Sequence, residues 1–154
     1  MPQPKQNAAS QSFASLVRER TEICLKIDCS DGDRVYQIGQ LSPLTLAYLG
    51  DAVYELYVRT RYLLPPKRLA DYHDRVVDCV RAESQAACWQ ALEPHLSEEE
   101  KEIFRRGRNA ATGKPRRLSP ELYGQATGLE TLIGYLYLQN PTRLNELLAR
   151  LDLD

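Results

Sequence analysis

Along residues 42–151 the apolar positions recur at intervals of three and four, and no stretch alternates long enough to make a strand. That period is helical, and capping and breaking residues cut it into segments. Ser42-Pro43 supplies an N-cap and a proline for the first helical position. The periodic run that follows reaches about Leu63, where Pro65-Pro66 ends it. Residues 68–92, RLADYHDRVVDCVRAESQAACWQAL, continue helically, with Val76, Val77, Val80, Ala87 and Trp89 among the apolar positions. Ser97 to Glu100 reads as a capping box for a helix through about Arg106. Ser119-Pro120 opens a helix to about Gln139, and Asn140-Pro141 a last one over 142–151. The pattern predicts an all-α fold.

The N-terminal region has a different character. Residues 1–10 are rich in Pro, Gln, Asn and Ser, a composition that predicts disorder. Residues 12–27 could form a short amphipathic helix, and SDGDR (30–34) is turn chemistry. The predicted division is an N-terminal extension over 1–40, partly disordered, and one domain over 41–154. A chain of 154 residues can bury most of its apolar surface without staples. Its start has no apolar signal-like core, and no window approaches the roughly 18 apolar residues of a membrane span. Four cysteines without metal-site spacing fit idle thiols, so the expected location is the cytoplasm.

Net charge is −1, so a polyanionic partner has to be argued from where the charges lie. One concentration is sharp. RRGRNAATGKPRR (105–117) carries Arg105, Arg106, Arg108, Lys114, Arg116 and Arg117 with no acid among them. Gly107, Gly113 and Pro115 predict a loop between two helices. Arginine forks match phosphate oxygens, so this loop is a candidate RNA grip. The bland reading is a solvated charge run balanced by SEEEKE (97–102).

Two isolated acids stand out within apolar helices: Asp51 in AYLGDAVYEL and Glu130 in TGLETLIGYLYL. At helical spacing Asp51 shares its stripe with Ala47 and Glu55, and Glu130 with Ala126, Thr127 and Gly134. Small neighbours let a second backbone or a ligand come close. A buried unpaired carboxylate costs several kcal/mol and needs a cation, hydrogen bonds or a raised pKa. Mg²⁺ suits such a place, since it is held by one or two carboxylates, waters and phosphate. The alternative is that each acid is exposed or pairs with an arginine such as Arg59. Glu55, and more remotely Asp71 and Glu83, are outer-shell candidates. His73 and His95 fit surface or capping roles. Tyr48, Tyr54, Tyr57, Tyr135 and Tyr137, beside leucines at helical spacing, fit core or interface better than base stacking.

Three stretches together, SPLTLAYLGDAVYELYVR (42–59), RRGRNA (105–110) and ATGLETLIGYLYL (126–138), resemble the ribonuclease III family. The likeness is closest to its short bacterial branch, the mini-ribonuclease III proteins, which lack the double-stranded-RNA-binding domain, and it covers about 40–150. It implies a homodimeric, Mg²⁺-dependent endonuclease that cuts double-stranded RNA to 5′-phosphate and 3′-hydroxyl ends. The substrate it implies is precursor 23S ribosomal RNA. Asp51 matches the catalytic, metal-binding aspartate and Glu130 the glutamate of the second acidic motif. Two family carboxylates are replaced, by Ala47 and Thr127. That loss leaves a rival reading open: a non-catalytic RNA-binding or scaffolding module on the same fold.

Overall fold

Ser42 caps as its place before Pro43 predicts: its side chain accepts the Thr45 N–H at 3.1 Å and starts α1 (Pro43–Arg61). The computed structural model describes residues 36–113 and 117–153, together with Glu19. The rest of the predicted 12–27 helix, the 30–34 turn, Cys24 and Cys29 lie outside the described residues. After α1 come α2 (Leu69–Val80), α3 (Ala82–Leu92), a 3₁₀ turn (Glu93–His95), α4 (Glu98–Ala110), α5 (Pro120–Gln139) and α6 (Pro141–Leu148). Among the described residues there is no strand, in keeping with the all-α expectation.

Helix starts follow local chemistry closely. Ser97 and Glu100 form the reciprocal capping box of α4, Ser119 accepts the Leu122 N–H, and Asn140 accepts the Arg143 N–H. Glu100 has a second task. Its carboxylate takes Arg143 Nε at 2.7 Å, and Arg143 also donates to the His95 carbonyl at 2.7 Å, tying α6 to the start of α4. The arginine, more than any other neighbour, holds the Glu100 carboxyl below its usual range.

Two boundaries differ from the sequence reading. The 68–92 stretch breaks at Arg81, which is extended (φ −68°, ψ 156°). Its N–H still bonds to the Val77 carbonyl and its carbonyl accepts from Gln85, so one residue closes α2 and opens α3. The Ser84 hydroxyl, donating to the Asp78 carbonyl, holds the corner. The cause is packing: α2 buries only Val76, whereas α3 turns Gln85, Ala86, Trp89 and Leu92 inward. The second difference is that α4 runs past Arg106 to Ala110, putting Arg105, Arg106 and Arg108 on a helix rather than in a loop. Gly107 does not end the helix, because it is a contact point. A methyl group there would lie 2.5 Å from Thr131 Cβ.

Helix α5 is the centre of the domain, and α1, α3, α4 and α6 all pack on it. It buries Leu129, Leu132, Ile133, Leu136 and Tyr137 against Tyr54 and Val58 of α1, while Trp89 of α3 stacks on Phe104 of α4 at 3.3 Å. The α1–α5 crossing is the tightest contact. A methyl group on Gly50 would sit 2.7 Å from the Glu130 carbonyl carbon, and one on Gly134 would sit 2.9 Å from that of Leu46. Both would come closer still to the carbonyl oxygens. Each glycine is thus required by close approach of backbone to backbone. No helix among the described residues is long and apolar enough to cross a membrane.

Gly50→Ala is expected to cost about 3 kcal/mol or more by forcing the helices apart, measured by denaturant unfolding. Gly39→Ala, where nothing lies within 4 Å of the added methyl, is expected to change stability by no more than about 0.5 kcal/mol.

Candidate active site

The glycine crossing places one acid from each helix. Asp51 follows Gly50 on α1, and Glu130 lies one turn before Gly134 on α5. Their carboxyl groups are neighbours, each acting on the titration of the other, so the two acids that stood apart in sequence form one pair. Asp51 is open to solvent and Glu130 is half-buried.

Burial raises the Glu130 carboxyl first, and the neighbouring Asp51 charge adds to it, pushing it up to about 7. The nearby Gln85 carboxamide pulls the other way. Asp51 is also raised, by burial and then by the Glu55 charge, while its hydrogen bond to Glu130 lowers it. The pattern is that of two neighbouring carboxyls of which Glu130, the more buried, keeps its proton to higher pH.

The ligand chemistry fits a hard divalent cation. Both donors are carboxylates, and their mutual repulsion is what a cation would relieve. Among the described residues no third His, Cys, Asp or Glu joins them. Water and substrate phosphate would have to supply the other positions. Glu55 is occupied: Arg59 Nε donates to it at 3.1 Å, one turn along α1. Asp71 pairs with Arg68, and His73 and His95 are exposed. Ala47 and Thr127 are buried, and the Thr127 hydroxyl donates to the Tyr123 carbonyl at 3.0 Å.

Gln85 is the site residue that the sequence reading missed. Only 1% of it is exposed, and it reaches Glu130 from the first turn of α3. Its signal was faint: a glutamine beside Ala86 and Ala87 shows nothing of its direction until α3 is set on α5.

The basic segment divides. Arg105 is paired with Glu102 at 2.7 Å. Arg106 and Arg108 are exposed, and Arg108 Nε donates to Asn109 Oδ1 at 3.4 Å. Arg117 is exposed as well, and Lys114 and Arg116 lie outside the described residues. The basic end of α4 rests on α5, where Arg108 Cγ would lie 3.1 Å from a methyl group on Gly124. Gly124 is six residues before Glu130, roughly 9 Å along the helix axis. Tyr123 donates to the Thr112 carbonyl at 3.3 Å, holding the chain that leaves α4 against α5. Of the tyrosines, Tyr54 and Tyr137 are core, while Tyr48 is 86% exposed.

Comparison with known proteins gives a consistent answer. The ribonuclease III domain family matches residues 44–141. Mini-ribonuclease 3 of Synechocystis sp. is 60% identical over 116 residues, spanning 75% of this chain and 81% of that protein. Mini-ribonuclease 3 of Gloeobacter violaceus is 53% identical over 116 residues, 75% of this chain and 86% of its own length. A crystal structure of a protein from Fusobacterium nucleatum superposes with a TM-score of 0.67 at 32% identity, covering 71% of this chain and 92% of that one.

The raised Glu130 carboxyl predicts a pH dependence in the metal-free protein. Unfolded, the group titrates near 4.5, and folded it titrates at about 7. In between, the folded state keeps a proton that the unfolded state has lost. This contribution to stability is therefore full below the lower value and disappears as pH rises through the upper one. Unfolding in EDTA from about pH 5 to about pH 8 is expected to show the natural protein losing stability relative to Glu130→Gln, by up to about 3 kcal/mol at 1.36 kcal/mol per unit.

Proposed function

The chain belongs to the ribonuclease III family, in its mini-ribonuclease 3 branch, and is an endoribonuclease; from that premise we propose that it cuts double-stranded RNA with Mg²⁺ held by Asp51 and Glu130. The observation that carries this is the pair of neighbouring carboxyls where α1 crosses α5 at Gly50 and Gly134. Asp51 and Glu130 would hold the ion through carboxylate oxygens, and Glu130 would give up its proton as the ion binds. Bound there, Mg²⁺ supplies water activation at neutral pH and charge neutralisation at the scissile phosphate. Hydrolysis leaves 5′-phosphate and 3′-hydroxyl ends.

The protein's own groups do the positioning. Arg106 and Arg108, open on the last turns of α4, grip the phosphate backbone, with Lys114, Arg116 and Arg117 extending the grip and Arg105 contributing once released from Glu102. A duplex is read by shape, phosphates and 2′-hydroxyls. The substrate we assign is the base-paired stem of precursor 23S ribosomal RNA, on the strength of the likeness to mini-ribonuclease 3. The working form we assign is a cytoplasmic homodimer. Leu44, Tyr48 and Leu56 make an exposed apolar stripe at four- and eight-residue spacing on α1, beside Asp51, and this supports self-association through that helix. We assign residues 1–40 to an extension and 41–154 to the catalytic domain, the family match at 44–141 supporting the second assignment.

A labelled precursor-rRNA stem incubated with Mg²⁺ or EDTA is the direct test. Cleavage is expected to need the metal and to vanish in Asp51→Asn while duplex binding persists. Binding without cleavage by the natural protein, on several stems and with Mn²⁺ as well, would overturn the proposal in favour of a scaffolding role. In binding titrations against salt, Arg106→Ala and Arg108→Ala are each expected to lower the slope of log affinity against log salt by about 1. Arg105→Ala is expected to lower it less, because that side chain is already paired with Glu102.

A further inference from the structure

The α1–α5 crossing makes neighbours of Asp51 and Glu130, and what stands beside them decides how many ions they can hold. Ala47 lies one turn before Asp51 on α1, and Thr127 one turn before Glu130 on α5. Each is only 5% exposed. Ala47 has no side-chain ligand atom. The Thr127 hydroxyl donates to the Tyr123 carbonyl at 3.0 Å, and the Thr127 carbonyl accepts the Thr131 hydroxyl at 2.8 Å. The same Thr131 hydroxyl lies 3.2 Å from the Pro43 carbonyl, so the neutral oxygens of Thr127, Thr131 and Pro43 are engaged within the crossing itself.

The third acid at helical spacing is withdrawn too. Glu55 lies one turn after Asp51, but Arg59 Nε donates to its Oε1 at 3.1 Å and Arg59 Nη2 bonds to the same oxygen. The guanidinium offsets the Glu55 charge and would itself repel a cation. Among the described residues no three His, Cys, Asp or Glu side chains converge so as to hold an ion. Two carboxylates balance the charge of one divalent cation. Two-metal sites hold their ions roughly 3.5–4 Å apart, and at a given distance two dications repel four times as strongly as two unit charges. A second ion therefore needs further anionic ligands, and one scissile phosphate adds only a single charge.

We infer that Ala47 and Thr127 restrict the site to a single divalent cation: Asp51 and Glu130 hold one ion, and the positions from which a second would be ligated carry no acid. The inference rests on the proposed metal-dependent cleavage and adds to it the number of ions and the residues that set that number. Ala47 and Thr127 act by what they withhold. A glutamate at the first position and an aspartate at the second would each place a further carboxylate one turn from the existing pair.

The test counts ions in the full chain. Mn²⁺ is titrated into the RNA-free protein with the free ion followed by electron paramagnetic resonance, and single-turnover cleavage of a labelled RNA duplex is followed against Mg²⁺ concentration. One bound Mn²⁺ per chain is expected, with a cleavage rate first order in Mg²⁺ below saturation. Two bound Mn²⁺ per chain, or a second-order dependence, would overturn the inference. The converse experiment supplies the acids. The double variant Ala47→Glu, Thr127→Asp is expected to raise the Mn²⁺ count from one to two. A count that stays at one in the folded double variant would also overturn the inference, since something other than these two residues would then limit the site. If the double variant shows no cooperative melting, Thr127→Asp alone takes its place and is read in the same way. A natural protein that neither binds Mn²⁺ nor cleaves would bring down the proposed function and this inference together. Metal-dependent cleavage with two ions per chain would bring down this inference alone.

Discussion

Helices α1 and α5 cross with backbone against backbone, at Gly50 and Gly134. Most helix pairs are held apart by side chains at 8–10 Å between axes; removing two Cβ atoms at one level lets this pair come closer. That closeness makes neighbours of Asp51 and Glu130 from different helices. The other elements arrange themselves around the same helix. Gly128 admits the Phe104 ring and Gly107 admits Thr131, so α4 is drawn onto α5 in the same way. The Thr131 hydroxyl then reaches both the Thr127 carbonyl at 2.8 Å and the Pro43 carbonyl at 3.2 Å, linking α5 to the start of α1.

The electrostatics of the site follow from that geometry. Two carboxylates near one another, one half-buried, cannot both ionise without cost, and Glu130 takes most of the shift because it is the more buried. With Ala47 and Thr127 in place of further acids, repulsion in the site is confined to this pair and to the more distant Glu55. Glu55 is in turn restrained by Arg59. A site with fewer charges repels an incoming phosphate backbone less.

The basic end of α4 has its own logic. Its first turn is acidic, Glu98 to Glu100, which complements the positive helix N-terminus, and Arg108 sits in the last turn near the negative end. The same charge order suits the helix dipole and leaves arginines exposed where α4 meets α5. Glu102 occupies Arg105, while Arg106 and Arg108 have no ion pair among the described residues, so adjacent arginines differ in how readily they can meet a phosphate. At the other end, Glu100 joins the capping box to Arg143, so the start of α4 is fixed by both local and long-range contacts.

Helix starts were legible in the sequence because a cap acts within four residues: Ser42, Ser97, Ser119 and Asn140 each bond where their position predicts. The all-α class was legible from periodicity, and Asp51 and Glu130 stood out because a carboxylate in an apolar helix is costly. Other features depended on what the residues meet across the fold. The break at Arg81 arises because α2 and α3 bury different faces, and α4 passes Arg106 because Gly107 is a contact with Thr131 rather than a stop. Gln85 acquires its meaning only when α3 lies on α5, since an amide has no preferred partner until packing supplies one. The sequence by itself thus determined the helices, their caps and the two acids, all set by chemistry within a few residues. Only the tertiary structure decided which helices touch, which arginines stay free and how Asp51 and Glu130 become neighbours, because those depend on distances between residues far apart in the chain.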